Sequence, residues 1–284
     1  MIVITGASGQ LGRLVVAELL KTVPASELVA AVRSPQKVDD LANMGIQVRQ
    51  ADYSRPDTLD TAFRGADKLL LISSSEVGQR APQHGNVIAA ANKANVGLLA
   101  YTSILHADTT PLLLGTEHKQ TEAMLAESGL PHVVLRNGWY TENYAAGIPI
   151  ALQHGAVLGC AGEGRISSAA RADYAAAAAA VLVAGDQAGQ VYELAGDEAY
   201  TLAEFAAEVA RQSGKTVIYQ NMPEADYANV LKGAGFPEGL AEMLAQSDIG
   251  ASQGGLFDDS HTLSKLIGRP TTPLAEVVKQ TLAK

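Results

Sequence analysis

Six short apolar blocks, separated by amphipathic stretches, fill the first half of the chain, and this alternation narrows the fold more than any other feature. Ile2–Thr5, Leu28–Val32, Val48–Ala51, Lys68–Ser73, Gly97–Thr102 and His132–Arg136 are each nearly continuous in Val, Leu, Ile or Ala. Strands of a parallel sheet covered on both faces have that composition. Between the blocks, Gln10–Lys21, Pro35–Met44, Pro56–Phe63, Ala81–Ala94 and Thr116–Ser128 carry helical patterns. The alternation predicts a doubly wound α/β domain with right-handed crossovers.

After about residue 150 the rhythm changes. A glycine-rich stretch from Gly155 to Gly164 separates the two halves. The run Ala175–Ala180 predicts a tightly packed helix, because alanine has the best helix propensity and lets backbones approach. A strand follows at Val191–Leu194. Thr201 with Glu204 three residues on predicts a capping box. Another strand is expected at Thr216–Tyr219, then short helices at Asp226–Ala234 and Leu240–Gln246. We therefore expect a main domain over residues 1–153 and a smaller C-terminal α/β cap over 154–284, with elements free to interleave.

Composition excludes several classes. With 284 residues, 47% hydrophobic and 18% charged, the chain is not disordered and needs no disulfide staples. Its single cysteine, Cys160, excludes an internal disulfide and a multi-cysteine metal site. The lone thiol fits a reducing compartment. The histidines (His84, His106, His118, His132, His154 and His261) show no metal-ligand spacing, so no metal is expected. A net charge of −9 argues against broad nucleic-acid binding, and 5% aromatics argue against a stacking platform. No apolar run approaches the ~20 residues of a membrane span, and no signal peptide is visible. The expectation is a soluble cytoplasmic protein of open oligomeric state.

The sharpest motif is Gly6-Ala7-Ser8-Gly9-Gln10-Leu11-Gly12, standing between the first strand and the first helix. Gly6 can take the tight turn, Gly9 has no Cβ to block a pyrophosphate, and Gly12 permits close helix packing. The helix N-terminus adds free N–H groups and partial positive charge. The context predicts a Rossmann dinucleotide site rather than a bare glycine turn. A NAD-preferring site places a carboxylate about 20 residues further on. Here Arg33 ends the second strand and Lys37 follows, which suits a 2′-phosphate and points to NADPH. Asp52, after the third strand, is placed to meet the adenine amino group. Ser73, Ser74 and Ser75 end the fourth strand near the switch point, where they either meet the dinucleotide or cap the next helix.

Together with this loop, Arg33 and the serines, the segment Arg136-Asn137-Gly138-Trp139-Tyr140-Thr141-Glu142-Asn143-Tyr144 resembles the NmrA-like branch of the atypical short-chain dehydrogenase/reductases. The resemblance extends to Gly255-Leu256-Phe257-Asp258-Asp259-Ser260 and covers nearly the whole chain. It is nearest to the quinone-reducing members, with triphenylmethane-dye reductases as cousins. It implies an oxidoreductase that passes a hydride from NADPH to a quinone. It also leaves two alternatives: a non-catalytic NADP(H)-sensing regulator, and a reductase of dyes or other conjugated xenobiotics.

Ordinary short-chain dehydrogenases use a Tyr-x-x-x-Lys pair. Here Leu114 and His118 stand at that spacing, and Tyr101 has Leu105 four residues on, so the pair is missing. Quinone reduction does not require it, because the product oxygens are weakly basic and water can supply the proton. Asn137 is expected to hold the nicotinamide or a quinone oxygen, and Gly138, Trp139 and Tyr140 to bind the cofactor beside it, the two aromatics walling the pocket. For the two aromatics, ordinary core packing is the other reading. His118 is the remaining acid–base candidate, unless it is an ordinary surface or hydrogen-bonded residue.

Overall fold

The computed structural model describes residues 1–283. Its strands are β1 (Ile2–Thr5), β2 (Leu28–Val32), β3 (Gln47–Gln50), β4 (Lys68–Leu71), β5 (Leu98–Ile104), β6 (His132–Asn137), β7 (Ala156–Gly159), β8 (Val191–Leu194) and β9 (Ile218–Asn221). The helices of the first half are α1 (Gln10–Leu19), α2 (Asp39–Asn43), α3 (Pro56–Ala62), α4 (Arg80–Lys93) and α5 (Gly115–Glu127). Then come α6 (Thr141–Ala145), α7 (Ile148–His154), α8 (Arg171–Val183) and α9 (Leu202–Ser213). The chain closes with α10 (Glu224–Gly233), α11 (Glu238–Ser252), α12 (Thr262–Ile267) and α13 (Leu274–Leu282).

The chain forms two compact units. Unit 1 comprises residues 1–104, 117–137 and 171–192; unit 2 comprises 105–116, 138–170 and 193–284. A sheet of order β3-β2-β1-β4-β5-β6-β8 dominates unit 1, and the pairs from β3 through β6 are all parallel. Every residue of β2 and β5 is buried, which is why these strands read as continuous apolar blocks. The third block differs from expectation. It lies one residue earlier, at the sheet edge, and its residues are exposed or half-buried rather than buried. The predicted helix Pro35–Met44 is also interrupted: a turn of 3₁₀ helix, Pro35–Lys37, precedes α2, and the buried Val38 between them is not helical. One face of the sheet packs Val3, Leu59, Phe63, Leu69, Leu71, Leu99 and Val134 into a single core. The alanine run lies in α8, which packs against α1 within unit 1.

Unit 2 is built differently. Residues 155–164, expected to separate two halves, contain β7, which pairs in parallel with β9. Phe205, Val209, Val217, Val277 and Val278 pack together beneath this ribbon with Ile148 and Tyr200. Thr201 and Glu204 form the expected capping box on α9. Helix α11 is twice as long as the sequence suggests. It continues through Ser247-Asp248-Ile249-Gly250, poor helix formers, because Asp248 is buried and accepts from Cys160 N–H at 2.9 Å. No helix of the described residues is long and apolar enough to cross a membrane.

Candidate dinucleotide site

The site lies in unit 1, along the C-terminal ends of its parallel strands. Gly6 takes a left-handed φ of +60°, and Gly9 N–H closes the turn on Gly6 C=O at 2.9 Å. Gly9 caps α1 without any side-chain bond, and no acidic residue occupies the first helical turn. Backbone donors at the start of this ten-residue helix therefore lack a side-chain acceptor. A Cβ on Gly9 would meet only Gly6 O at 3.2 Å, so the outward face is open. A Cβ on Gly12 would run into the turn backbone, with Ala7 Cα at 2.7 Å. Ser8, Gly9 and Gln10 are exposed, whereas Ala7 and Leu11 point inward and are buried. This cradle fits a diphosphate.

Around the cradle, successive backbone groups are held by side chains. Ile72 N–H donates to Thr5 Oγ1 at 3.1 Å, Ser73 N–H to Thr102 Oγ1 at 2.9 Å, and Ser74 N–H to His84 Nε2 at 3.0 Å. Arg80 Nε donates to Ser74 C=O at 2.6 Å. Because His84 accepts at Nε2, its proton sits on Nδ1 and is donated to Thr121 Oγ1 at 2.9 Å. Burial holds His84 neutral, with its pKa lowered to about 3. The serines do not cap α4, which starts at Arg80 with no side-chain cap bond; Ser74 Oγ instead accepts from Glu76 N–H at 3.1 Å.

Arg33 is exposed, one residue beyond β2, and its Nη1 donates to Glu76 Oε1 at 2.7 Å. Lys37 is exposed nearby in sequence, and its carbonyl accepts from Arg13. Asp52 follows β3 and accepts from Ser54 N–H at 2.9 Å. Tyr53 lies below the glycine turn; its hydroxyl contacts Thr5 Oγ1 and donates to Ile72 C=O at 2.8 Å.

At the far end of the row stands Asn137, the last residue of β6, opposite Ile104 of β5. It is only 5% exposed, and its Oδ1 has no hydrogen-bond partner. A buried orphan acceptor is costly unless something donates to it, and a carboxamide N–H₂ matches that need. Beside it, Arg136 forks onto Glu122 at 2.7 and 3.0 Å, and Ser103 also donates to Glu122. Tyr101 and His118 form a closed pair, hydroxyl to Nδ1 at 2.7 Å. His118 is 4% exposed, so it is a buried, bonded residue and not a surface one. Burial lowers the His118 pKa to about 3, with the nearby Arg80 charge adding to the effect. Burial also raises the Tyr101 pKa, opposite to the shift that a catalytic tyrosine needs.

The structure thus brings the glycine loop, Arg33, Asp52, Ser73, Ser74, Ser75, Asn137 and His118 into one unit. Gly138, Trp139 and Tyr140 belong to unit 2, where Gly138 N–H donates to Leu194 C=O at 2.7 Å and Tyr140 bridges to Ala169. In the same unit Tyr144 packs on Phe205, and the Cys160 thiol is pushed up to about 12 by burial, so it is no nucleophile. Sequence reasoning missed Tyr53, Glu76 and Arg80, and with them Gln83, which donates to Glu76 Oε2 at 2.8 Å, and Glu117, which accepts from Arg80 N–H at 3.1 Å. No local motif marks them; they matter only because the fold gathers them under the strand ends.

Comparison with known proteins agrees with this geometry. Residues 6–184 match the family described as NAD(P)H-binding, and the chain belongs to it. It is 63% identical over 278 residues to quinone oxidoreductase 2 of Escherichia coli, covering 98% of this chain and 97% of the relative. The crystal structure of the E. coli NADPH-dependent quinone oxidoreductase complexed with NADPH matches with a TM-score of 0.97 at 62% identity, over 99% of this chain and 100% of that one. Triphenylmethane reductase of Citrobacter, complexed with NADP(H), matches with a TM-score of 0.95 at 38% identity, over 99% and 100%.

Proposed function

We propose that this protein is an NADPH-dependent reductase that passes a hydride to a quinone. The observation that carries it is the end-to-end similarity to quinone oxidoreductase 2, at 63% identity over 98% of the chain. The glycine cradle and the orphan acceptor of Asn137 support it independently. NADPH supplies the hydride; one proton from water completes the hydroquinone.

The chain's own residues bind and orient. The backbone of Gly6, Ala7, Ser8, Gly9, Gln10 and Leu11 holds the pyrophosphate, and Arg33 reads the 2′-phosphate. Asp52 takes the adenine side, and Ser73, Ser74 and Ser75 the middle of the dinucleotide. Asn137 accepts from the nicotinamide carboxamide, fixing the ring face. Gly138, Trp139 and Tyr140 belong to unit 2, to which we assign the substrate-binding role. His118 and Tyr101, neutral and closed on each other, hold shape and give up no proton. The buried free thiol fits a reducing compartment such as the cytoplasm.

The test is NADPH oxidation with a panel of quinones and, as control, simple ketones, together with calorimetric NADPH binding to Gly9→Val. Quinone turnover without ketone turnover is expected. The branched side chain should weaken NADPH binding at least ~100-fold, since it fills the space where the pyrophosphate approaches. NADPH binding without any quinone turnover would leave a nucleotide sensor instead.

A further inference from the structure

We propose that Glu76 is a specificity-determining residue: it competes with a 2′-phosphate for Arg33 and offers a ribose its own carboxylate, keeping the site open to NADH as well as NADPH. The inference rests on Arg33 as the phosphate-reading group.

The two side chains come from different strand ends, Arg33 just past β2 and Glu76 five residues past β4. They meet at 2.7 Å, with side-chain exposures of 69% and 45%. A pair so exposed is weak when its partners are free to move. Glu76 is not free to move. Its second oxygen, Oε2, accepts from Gln83 Nε2 at 2.8 Å. Gln83 is buried in α4, and the same Nε2 also reaches Ser54 Oγ at 3.2 Å. The backbone of Glu76 is tied to Ser74, whose own N–H and C=O are fixed by His84 and Arg80. The carboxylate is therefore a mounted anion beside the Arg33 guanidinium at the end of β2.

Such an anion acts oppositely on the two nucleotides. A 2′-phosphate needs the guanidinium donors that Glu76 occupies and is repelled by the carboxylate next to them. A ribose 2′-hydroxyl is a donor, and a carboxylate is its usual acceptor in NAD sites. The end of β2 provides none, because Arg33 stands there. Glu76 provides one from β4, at the spot that its bond to Arg33 defines.

The experiment is calorimetric binding of NADPH and NADH to the wild type, Glu76→Gln, Glu76→Ala and Arg33→Ala, with 2′,5′-ADP and AMP as fragment probes. Both Glu76 variants should bind NADPH and 2′,5′-ADP about threefold more tightly, and NADH and AMP about threefold more weakly, a shift near tenfold in the ratio. An unchanged ratio overturns the proposal, as does weaker NADPH binding, which would mean that Glu76 orients Arg33 for the phosphate. Arg33→Ala separates the two levels. If it loses NADPH affinity while the Glu76 variants keep the wild-type ratio, only the role of Glu76 falls. If it leaves NADPH affinity intact, the assignment of Arg33 falls and this proposal with it.

Discussion

Along the sheet of unit 1 the strand ends change character. On the β2 side, Arg33 and Glu76 are exposed and charged; on the β5 and β6 side, Tyr101, His118 and Asn137 are buried and carry no charge. The order of strands puts the glycine cradle of β1 and the serines of β4 between them. The two ends obey different physics. At the wet end, water weakens charge–charge contacts and salt screens charges beyond a Debye length of ~10 Å, so affinity there is graded and tunable. At the dry end, an unmet hydrogen bond carries its full desolvation penalty, so geometry there is nearly all-or-none. We therefore propose that discrimination between nucleotides belongs to the first end, and placement of the reacting ring to the second.

The largest effect should come from the dry end. Asn137→Ala removes the orphan acceptor and leaves the ring free to shift by about 1 Å, which can cost ~100-fold in rate. We expect kcat/KM with a quinone to fall by about that factor, equally at low and high salt. Near-wild-type turnover would take Asn137 out of the site, and a strong salt dependence would break the contrast between the two ends.

Arg33→Ala should be felt next. A charge-assisted contact is worth about 1.5–3 kcal/mol, roughly 10- to 150-fold, and exposure places this one near the bottom of that range. NADPH affinity should fall about tenfold at low ionic strength while NADH is nearly unchanged, and the gap should narrow as salt is added. Equal losses for both nucleotides would show that the wet end does not read the phosphate.

The same contrast decides what could be read from sequence. Central strands announce themselves because both faces are buried: the boundaries of β1 and β2 follow directly from their apolar blocks. The edge strand β3 and the long α11 are less legible, since one is set by its place in the sheet and the other by packing around Asp248. Glycines and Arg33 stand out because local backbone geometry or strand-end charge dictates them. The mount beneath Ser74 does not. Its members, Arg80, His84, Glu117 and Thr121, are ordinary helix-surface residue types, and their meaning depends on which helix covers which strand end. His118 reads as an isolated histidine until the fold sets Tyr101 against it.

His118 gives the smallest expected effect on turnover and a sharper one on stability. His118→Gln keeps a hydrogen-bonding partner for Tyr101 but cannot be charged. If water is the proton source, kcat/KM at neutral pH should stay within about threefold of wild type; a loss of 10²- to 10⁴-fold, typical of a missing general acid, would make His118 the proton donor. Acid separates the cases further. In the folded protein His118 titrates near 3, against an ordinary 6.5. Below about pH 6.5 the unfolded chain takes up the proton first, so stability that is complete above that pH drains away as the pH falls toward 3. At pH 5 the loss is about 2 kcal/mol for this residue. His84, also lowered to about 3, adds a similar loss, while Asp248 in unit 2, raised to about 6, works the other way as the pH drops from 6 toward 4. The raw pH curve is therefore a sum, and the informative quantity is the difference in unfolding free energy between wild type and His118→Gln. That difference should move by about 2 kcal/mol in favour of the variant between pH 7 and pH 5. Parallel curves would mean that His118 already takes up a proton in the folded protein near neutrality, and the buried end of the site would then be neither dry nor neutral.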